Sequence, residues 1–241
     1  MAPVITWIFA VASVYFFYGC CRLLLPGAQR ASYRTGVLLF VSAPVMVGSV
    51  VAHSSEIPAL GLMLGAWYVI LRYETRSVVP SLMGALVSIV LWMYPLVPEL
   101  PLAGWSPRHF WGPHFETPPG TGEYPLPNLL FILSPVCHWG FAVLLPLFFV
   151  LFKKTDLQLT EKKVLLGTLG GYLLLIGGLP TQDLRHLLPV WALGLLLLFP
   201  AIDRAISYGF FYAKNVVVAV LLVGVLVQLG GIVYYCRALL Q

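Results

Sequence analysis

A short polar turn between two long apolar stretches contains the residues with the clearest chemical potential. Asp183, Arg185 and His186 lie in this turn, directly before the Leu-Leu-Pro sequence at 187–189. A guanidinium group binds phosphate oxygens through two parallel hydrogen bonds, so Arg185 with His186 could hold a phosphate group. In the alternative interpretation, Asp183 pairs with Arg185 and the two side chains cap the following helix.

A second group of polar side chains lies in the proline-rich segment 97–127. The side chains available there include Arg108, His109, His114 and Glu116. Imidazole and carboxylate groups can ligate a divalent metal, but this spacing matches no ligand pattern, and the sequence predicts neither a metal site nor a cofactor. Because aromatic residues are interleaved with the polar ones, the segment is predicted to lie at a membrane interface. It would be either a lid for an amphiphilic substrate or a cap that closes the structure.

The elements that position these residues are predicted to be transmembrane helices. Of the 241 residues, 60% are hydrophobic and 10% are charged, whereas soluble proteins carry about a quarter charged residues. We therefore predict an all-α fold, a polytopic transmembrane helix bundle that forms a single domain over 1–241, with a structured external loop at about 97–127. A span needs about 20 mainly apolar residues, and the sequence offers eight candidates: 4–21, 36–52, 57–72, 78–96, 128–152, 164–179, 187–202 and 210–236.

The basic residues divide unequally between the two sides of such a bundle. Of the 14 Lys and Arg residues, only Arg108, Arg185 and Arg237 fall on one side, and the remaining eleven fall on the other. Because cytoplasmic loops are rich in Lys and Arg, we expect both termini, the loop 97–127 and the turn 180–186 to be extracytoplasmic. The net charge of +5 is therefore explained by basic residues in the predicted cytoplasmic loops, and no nucleic-acid partner is predicted.

Several segments resemble the GT-C superfamily of membrane glycosyltransferases. The run GGLPTQDLRHLLPVWALGLLLLFPAIDRAI is similar to a late segment of these enzymes, in which a polar external turn leads into an Arg-Tyr/His-Leu-Leu-Pro helix start. The sequences LFILSP at 130–135, SEIPAL at 55–60 and VQLG at 227–230 resemble other superfamily segments. These matches follow the superfamily's order over about residues 36–236.

The resemblance implies an activity and a role for particular residues. The expected reaction is transfer of a sugar from a polyprenyl-phosphate donor to an external acceptor, without a nucleotide-binding domain. Glu56 would be the base that deprotonates the acceptor hydroxyl, while Arg185 with His186 would stabilise the departing phosphate. The expected partners are membrane lipids, including a polyprenyl-phosphate lipid, and the expected location is an integral, multi-pass membrane protein.

A second function is left open by a departure from the superfamily pattern. The superfamily's first external loop, which carries an acidic catalytic residue, has no counterpart in this sequence. A shortened relative could instead be a catalytically inert structural or accessory subunit of a larger membrane complex, bound to a protein partner. A transporter is less favoured, because the predicted spans are nearly free of the ionisable residues that transport pathways use.

The predicted topology can be tested by cysteine labelling from outside the membrane. Engineered cysteines in the loop 97–127 and in the turn 180–186 should react with a membrane-impermeant reagent, and cysteines at 153–163 should not. The reverse labelling pattern would contradict the orientation and every external site inferred from it.

Overall fold

The computed structural model describes residues 2–51, 56–73, 105–111, 160–179 and 184–207, together with Val223 and Leu226. Within these ranges every regular element is a helix, as the predicted all-α class requires. The elements are α1 (Ala2–Leu24), α2 (Arg30–Val41), α3 (Pro44–Val51), α4 (Glu56–Arg72), α5 (Arg108–Trp111), α6 (Thr160–Gly177), a 3₁₀ helix (Leu184–Leu187) and α7 (Leu188–Ser207). The predicted spans 78–96, 128–152 and almost all of 210–236 lie outside the described residues.

The helices α1, α4, α6 and α7 overlap the spans predicted at 4–21, 57–72, 164–179 and 187–202. The span predicted at 36–52 differs, because the chain forms two helices that are separated at Ser42 and Ala43. Pro44 has no N–H group to donate, and its ring interferes with a preceding helical turn, so it begins a new helix instead of continuing α2.

One described helix is long and apolar enough to cross a membrane, the stretch Pro3–Leu24 of α1. One face of this helix is open: Val4, Ile8, Val11 and Tyr15 are each between 60 and 68% exposed. These positions recur at helical spacing and form one stripe. In water such a continuous apolar stripe would be costly, whereas lipid chains would cover it.

The opposite face of α1 packs against α4 through glycines. A Cβ atom at Gly61 would lie 2.8 Å from Cδ1 of Phe9, and one at Gly19 would lie 2.6 Å from Cε2 of Tyr68. Since early residues of α1 meet early residues of α4, and late residues meet late ones, the two helices are parallel. The missing side chains let aromatic rings lie directly on the neighbouring backbone, as small residues do at membrane helix interfaces.

The connection 25–29 turns the chain back, so that α2 is antiparallel to α1. The hydroxyl of Tyr33 donates a hydrogen bond to the carbonyl of Leu25 at 2.6 Å, which fixes this turn. Further along, the rings of Phe17 and Phe40 are stacked with their centroids 4.4 Å apart. Both rings are fully buried and form part of the core.

The helix α7 closes this core by packing antiparallel to α2. Near its start the Trp191 Nε1–H donates to the carbonyl of Phe40 at 3.4 Å. Near its end the Oδ1 atom of Asp203 accepts from the Ser32 hydroxyl at 2.5 Å and from the Gln29 N–H at 3.1 Å. The carboxylate thus satisfies a backbone donor at the start of α2, where helices have unpaired N–H groups.

These directions give the described structure two chemically different ends. One end, called the basic end, carries most of the described cations: Arg22, Arg30, Arg34, Arg72, Lys162, Lys163 and Arg204. The other end, called the turn end, contains the start of α4, the segment 105–111 and the 3₁₀ helix. The charge asymmetry seen in the sequence therefore corresponds to a spatial separation.

We predict that filling the α1–α4 contact destabilises the protein. Gly61→Leu should lower the thermal unfolding midpoint of the full chain in detergent and cost about 1–3 kcal/mol, because Phe9 must leave its position against the backbone. The control is Gly167→Leu on the exposed face of α6, where a Cβ atom meets nothing within 4 Å. Equal thermal unfolding midpoints for the two variants would show that the α1–α4 contact does not stabilise the protein as predicted.

Candidate functional site

The turn end is organised by hydrogen bonds where α6 ends and α7 begins. Gly178 N–H donates to the carbonyl of Leu175 at 3.3 Å, and Leu179 N–H donates to that of Ile176 at 3.2 Å, which tightens the last turn of α6. The buried Tyr172 hydroxyl then donates to the carbonyl of His186 at 2.6 Å. This bond fixes the 3₁₀ helix, which carries Arg185 and His186, against α6.

Residues 105–111, which belong to the loop predicted at 97–127, are docked on the end of α6 through two backbone carbonyls. Trp105 Nε1–H donates to the carbonyl of Leu175 at 3.0 Å, and Ser106 N–H donates to that of Gly178 at 2.8 Å. Nδ1 of His109 lies 2.9 Å from the same Gly178 oxygen. Since a carbonyl oxygen only accepts, this geometry assigns the proton of a neutral His109 to Nδ1 and leaves Nε2 as an acceptor.

Two glycines make the docking possible. The Phe110 ring lies where a Cβ atom of Gly177 would be, and the Trp105 indole lies where a Cβ atom of Gly178 would be. A side chain at either position would displace an aromatic ring. Sequence reasoning placed these aromatics at the membrane interface and missed their contact with the chain; the paired glycines at the end of an apolar run were the available signal.

Glu56 is the first residue of α4 and lies at the turn end. Only 1% of its surface is exposed, and its position in the first turn places the carboxylate near the positive end of the helix dipole. The helix α3 contacts both α4 and the 3₁₀ helix. Glu56 and His186 therefore lie on elements that share one neighbour.

The predicted site residues other than Glu56 fall into three groups. His109 and His186 are associated with the same turn, while Arg108 is exposed on α5. Arg185 contributes its backbone to the 3₁₀ helix, and its side chain lies outside the described part of the structure. Asp183, His114 and Glu116 also lie outside the described residues. Among the residues that the structure does describe, no group of three or more His, Cys, Asp or Glu side chains could hold a metal ion.

An apolar groove runs between α1 and the α2–α3 segment. Its volume is about 260 Å³, and its lining residues are Trp7, Ala10, Val11, Val14, Val41, Met46, Val47, Val50 and Val51. The helix α3, which forms one wall of the groove, also contacts the 3₁₀ helix that carries Arg185 and His186. A hydrocarbon chain is the ligand that such a lining favours.

A comparison with protein-family models, curated proteins and solved structures gives no match to this chain.

We predict that Gly178→Val releases the docked segment 105–111. The variant should be cleaved by trypsin after the exposed Arg108 roughly ten times faster than the unmodified chain, because Trp105 and the Ser106 N–H bond are displaced together and each hydrogen bond contributes about 1 kcal/mol. The matched control is Gly171→Val, on an exposed part of α6 with no neighbour within 4 Å of a Cβ atom. Unchanged cleavage in Gly178→Val would mean that the docking does not protect this segment.

Proposed function

We propose that the chain is an integral, multi-pass membrane protein with about eight spans and a GT-C-like arrangement. We further propose that it transfers a sugar from a polyprenyl-phosphate donor on the extracytoplasmic face. The observation that carries the proposal is the hydrogen bond between His109 and Gly178 at 2.9 Å. It brings residues 105–111 of the predicted external loop onto the end of α6, to which the 3₁₀ helix with Arg185 and His186 is also bonded, as a lid over a phosphate site requires.

The directions of the described helices support the eight-span topology. Tyr73 follows Arg72 at the basic end, Trp105 is bonded to the turn end, and Thr160 begins α6 at the basic end again. The spans predicted at 78–96 and 128–152 would connect these positions in sequence. With the basic end in the cytoplasm, as the positive-inside rule favours, the turn end is extracytoplasmic.

The proposed chemistry divides between a base and a phosphate clamp. Glu56 would take the proton from the acceptor hydroxyl while the acceptor oxygen forms a bond to the anomeric carbon of the sugar. The bond from that carbon to the phosphate oxygen would break, and the phosphate would leave with the electron pair. Arg185, with His186, would stabilise the charge that develops on the departing phosphate. The apolar groove would receive part of the isoprenoid chain.

The alternative function, an inert accessory subunit, is favoured by the burial of Glu56. A carboxylate that is 1% exposed is poorly placed to meet an acceptor hydroxyl unless the turn end opens. The open stripe of α1 from Val4 to Tyr15 would then be a surface for a partner helix. This alternative predicts a stable complex and no transfer.

We predict that two variants separate the steps of the proposed reaction. In the purified full chain, Arg185→Ala should weaken binding of undecaprenyl phosphate by roughly tenfold or more, because a charge-assisted hydrogen bond contributes about 1.5–3 kcal/mol. Glu56→Gln should retain this binding but lose roughly 10²–10⁴-fold in transfer from polyprenyl-phosphate hexoses. Lys163→Gln, exposed at the basic end, is the control that should change neither.

The same measurements identify the alternative. The proposed transferase activity is wrong if the unmodified chain neither binds undecaprenyl phosphate nor transfers sugar from any polyprenyl-phosphate hexose in a panel. Co-purification of a second membrane protein, lost when bulky polar residues are placed on the open stripe of α1, would then support the accessory subunit.

A further inference from the structure

At the basic end, two neighbouring parallel helices finish with the same pairing of tyrosine and arginine. The guanidinium carbon of Arg22 lies 6.0 Å from the ring centroid of Tyr18, and that of Arg72 lies 5.9 Å from the centroid of Tyr68. Arg72 also donates from Nη1 to the Tyr68 hydroxyl at 3.3 Å. In both helices the arginine follows its tyrosine by four residues, so each guanidinium lies over the face of its aromatic ring.

The two pairs lie at the same level of the structure. Tyr68 packs against Gly19, one residue after Tyr18. Its ring centroid is 6.3 Å from that of Tyr15, and the Tyr18 centroid is 5.7 Å from that of Tyr33 on α2. Tyrosine rings therefore form a row across α4, α1 and α2. Such rows are typical of the level at which a membrane meets water.

The two arginines beside this row of tyrosines are exposed and can bind an anion from outside the protein. Neither Arg22 nor Arg72 forms an ion pair with any residue that the structure describes, and both are exposed. Asp203, a carboxylate at this end, accepts hydrogen bonds from the start of α2 instead. The exposed Arg30 and Arg34 add further positive charge beside the row.

The surface next to the arginines is apolar. On α1, Val11 and Tyr15 are 68% and 62% exposed, and on α4, Leu62 and Val69 are 41% and 51% exposed. A ligand that covers this surface must combine an anionic group with hydrocarbon chains. A nucleic acid has phosphates but no chains to cover the apolar faces, whereas a phospholipid has both.

We propose that Arg22 and Arg72, braced by Tyr18 and Tyr68, bind the phosphate of an anionic phospholipid in the leaflet at the basic end. The two guanidinium groups supply donors in the fork geometry that suits phosphate oxygens, and the acyl chains lie along the exposed faces of α1 and α4. This inference needs α1 to lie in a membrane but does not depend on the proposed transferase activity.

The test compares lipid binding by the full chain in detergent micelles, measured by native mass spectrometry. The unmodified chain should bind phosphatidylglycerol in preference to phosphatidylcholine. The double variant Arg22→Gln/Arg72→Gln should bind phosphatidylglycerol roughly 30-fold more weakly, the effect expected for two basic side chains near a charged membrane surface. Lys163→Gln, exposed at the same end on α6, should change binding less than about threefold, because it lies outside the row.

Two further measurements separate this site from general charge attraction. The double variant Arg22→Lys/Arg72→Lys keeps both charges but loses the planar fork. Its affinity for phosphatidylglycerol should therefore lie between those of the unmodified chain and the glutamine variant. If the glutamine variant does not fold, the lysine variant replaces it in the comparison. Water-soluble glycerol phosphate should not compete with phosphatidylglycerol, since it has no chains. The proposal is wrong if glycerol phosphate competes equally, if the lysine variant binds like the unmodified chain, or if Lys163→Gln loses as much binding as the glutamine variant.

Discussion

The glycine-mediated contact between α1 and α4 sets the relative direction of these two helices, and both ends of the described structure depend on it. It allows Phe9 and Tyr68 to lie on neighbouring backbone at two levels, and so fixes both the direction and the register of the two helices. Because the helices are parallel, their starts share one end and their arginines share the other. The position of Glu56 at the turn end and the alignment of Arg22 with Arg72 both follow from this single packing constraint.

The two ends of the described structure are stabilised by hydrogen bonds to opposite helix termini. At the turn end, donors from Trp105, Ser106 and His109 converge on the carbonyls of Leu175 and Gly178, where α6 ends and carbonyl groups need partners from outside the helix. At the basic end, Asp203 accepts from the opposite kind of terminus, the Gln29 N–H and the Ser32 hydroxyl at the start of α2. Helix ends that would otherwise leave polar groups unpaired thus become the attachment points for the segment 105–111 and for α7.

The burial of Glu56 connects the two functions considered for this protein. A carboxylate with 1% exposure can serve as a base only if the start of α4, α3 or the docked loop moves to admit an acceptor. Closure of a lid over a lipid-linked sugar would exclude water from the reacting atoms. In an accessory subunit the same carboxylate would have a structural role, and the docked segment 105–111 would simply close the turn end.

The sequence by itself determined the helical class, the approximate ends of α1, α4, α6 and α7, and the separation of basic residues, because each of these depends on the length of apolar runs and on charge along the chain. The hydropathy pattern did not predict the break before Pro44, where one continuous apolar run becomes two helices. Only the tertiary structure decided that His109 meets Gly178 and that Asp203 meets Ser32. Those contacts join residues 69 and 171 positions apart, and a hydrogen bond to a distant helix end leaves no periodic pattern in the sequence.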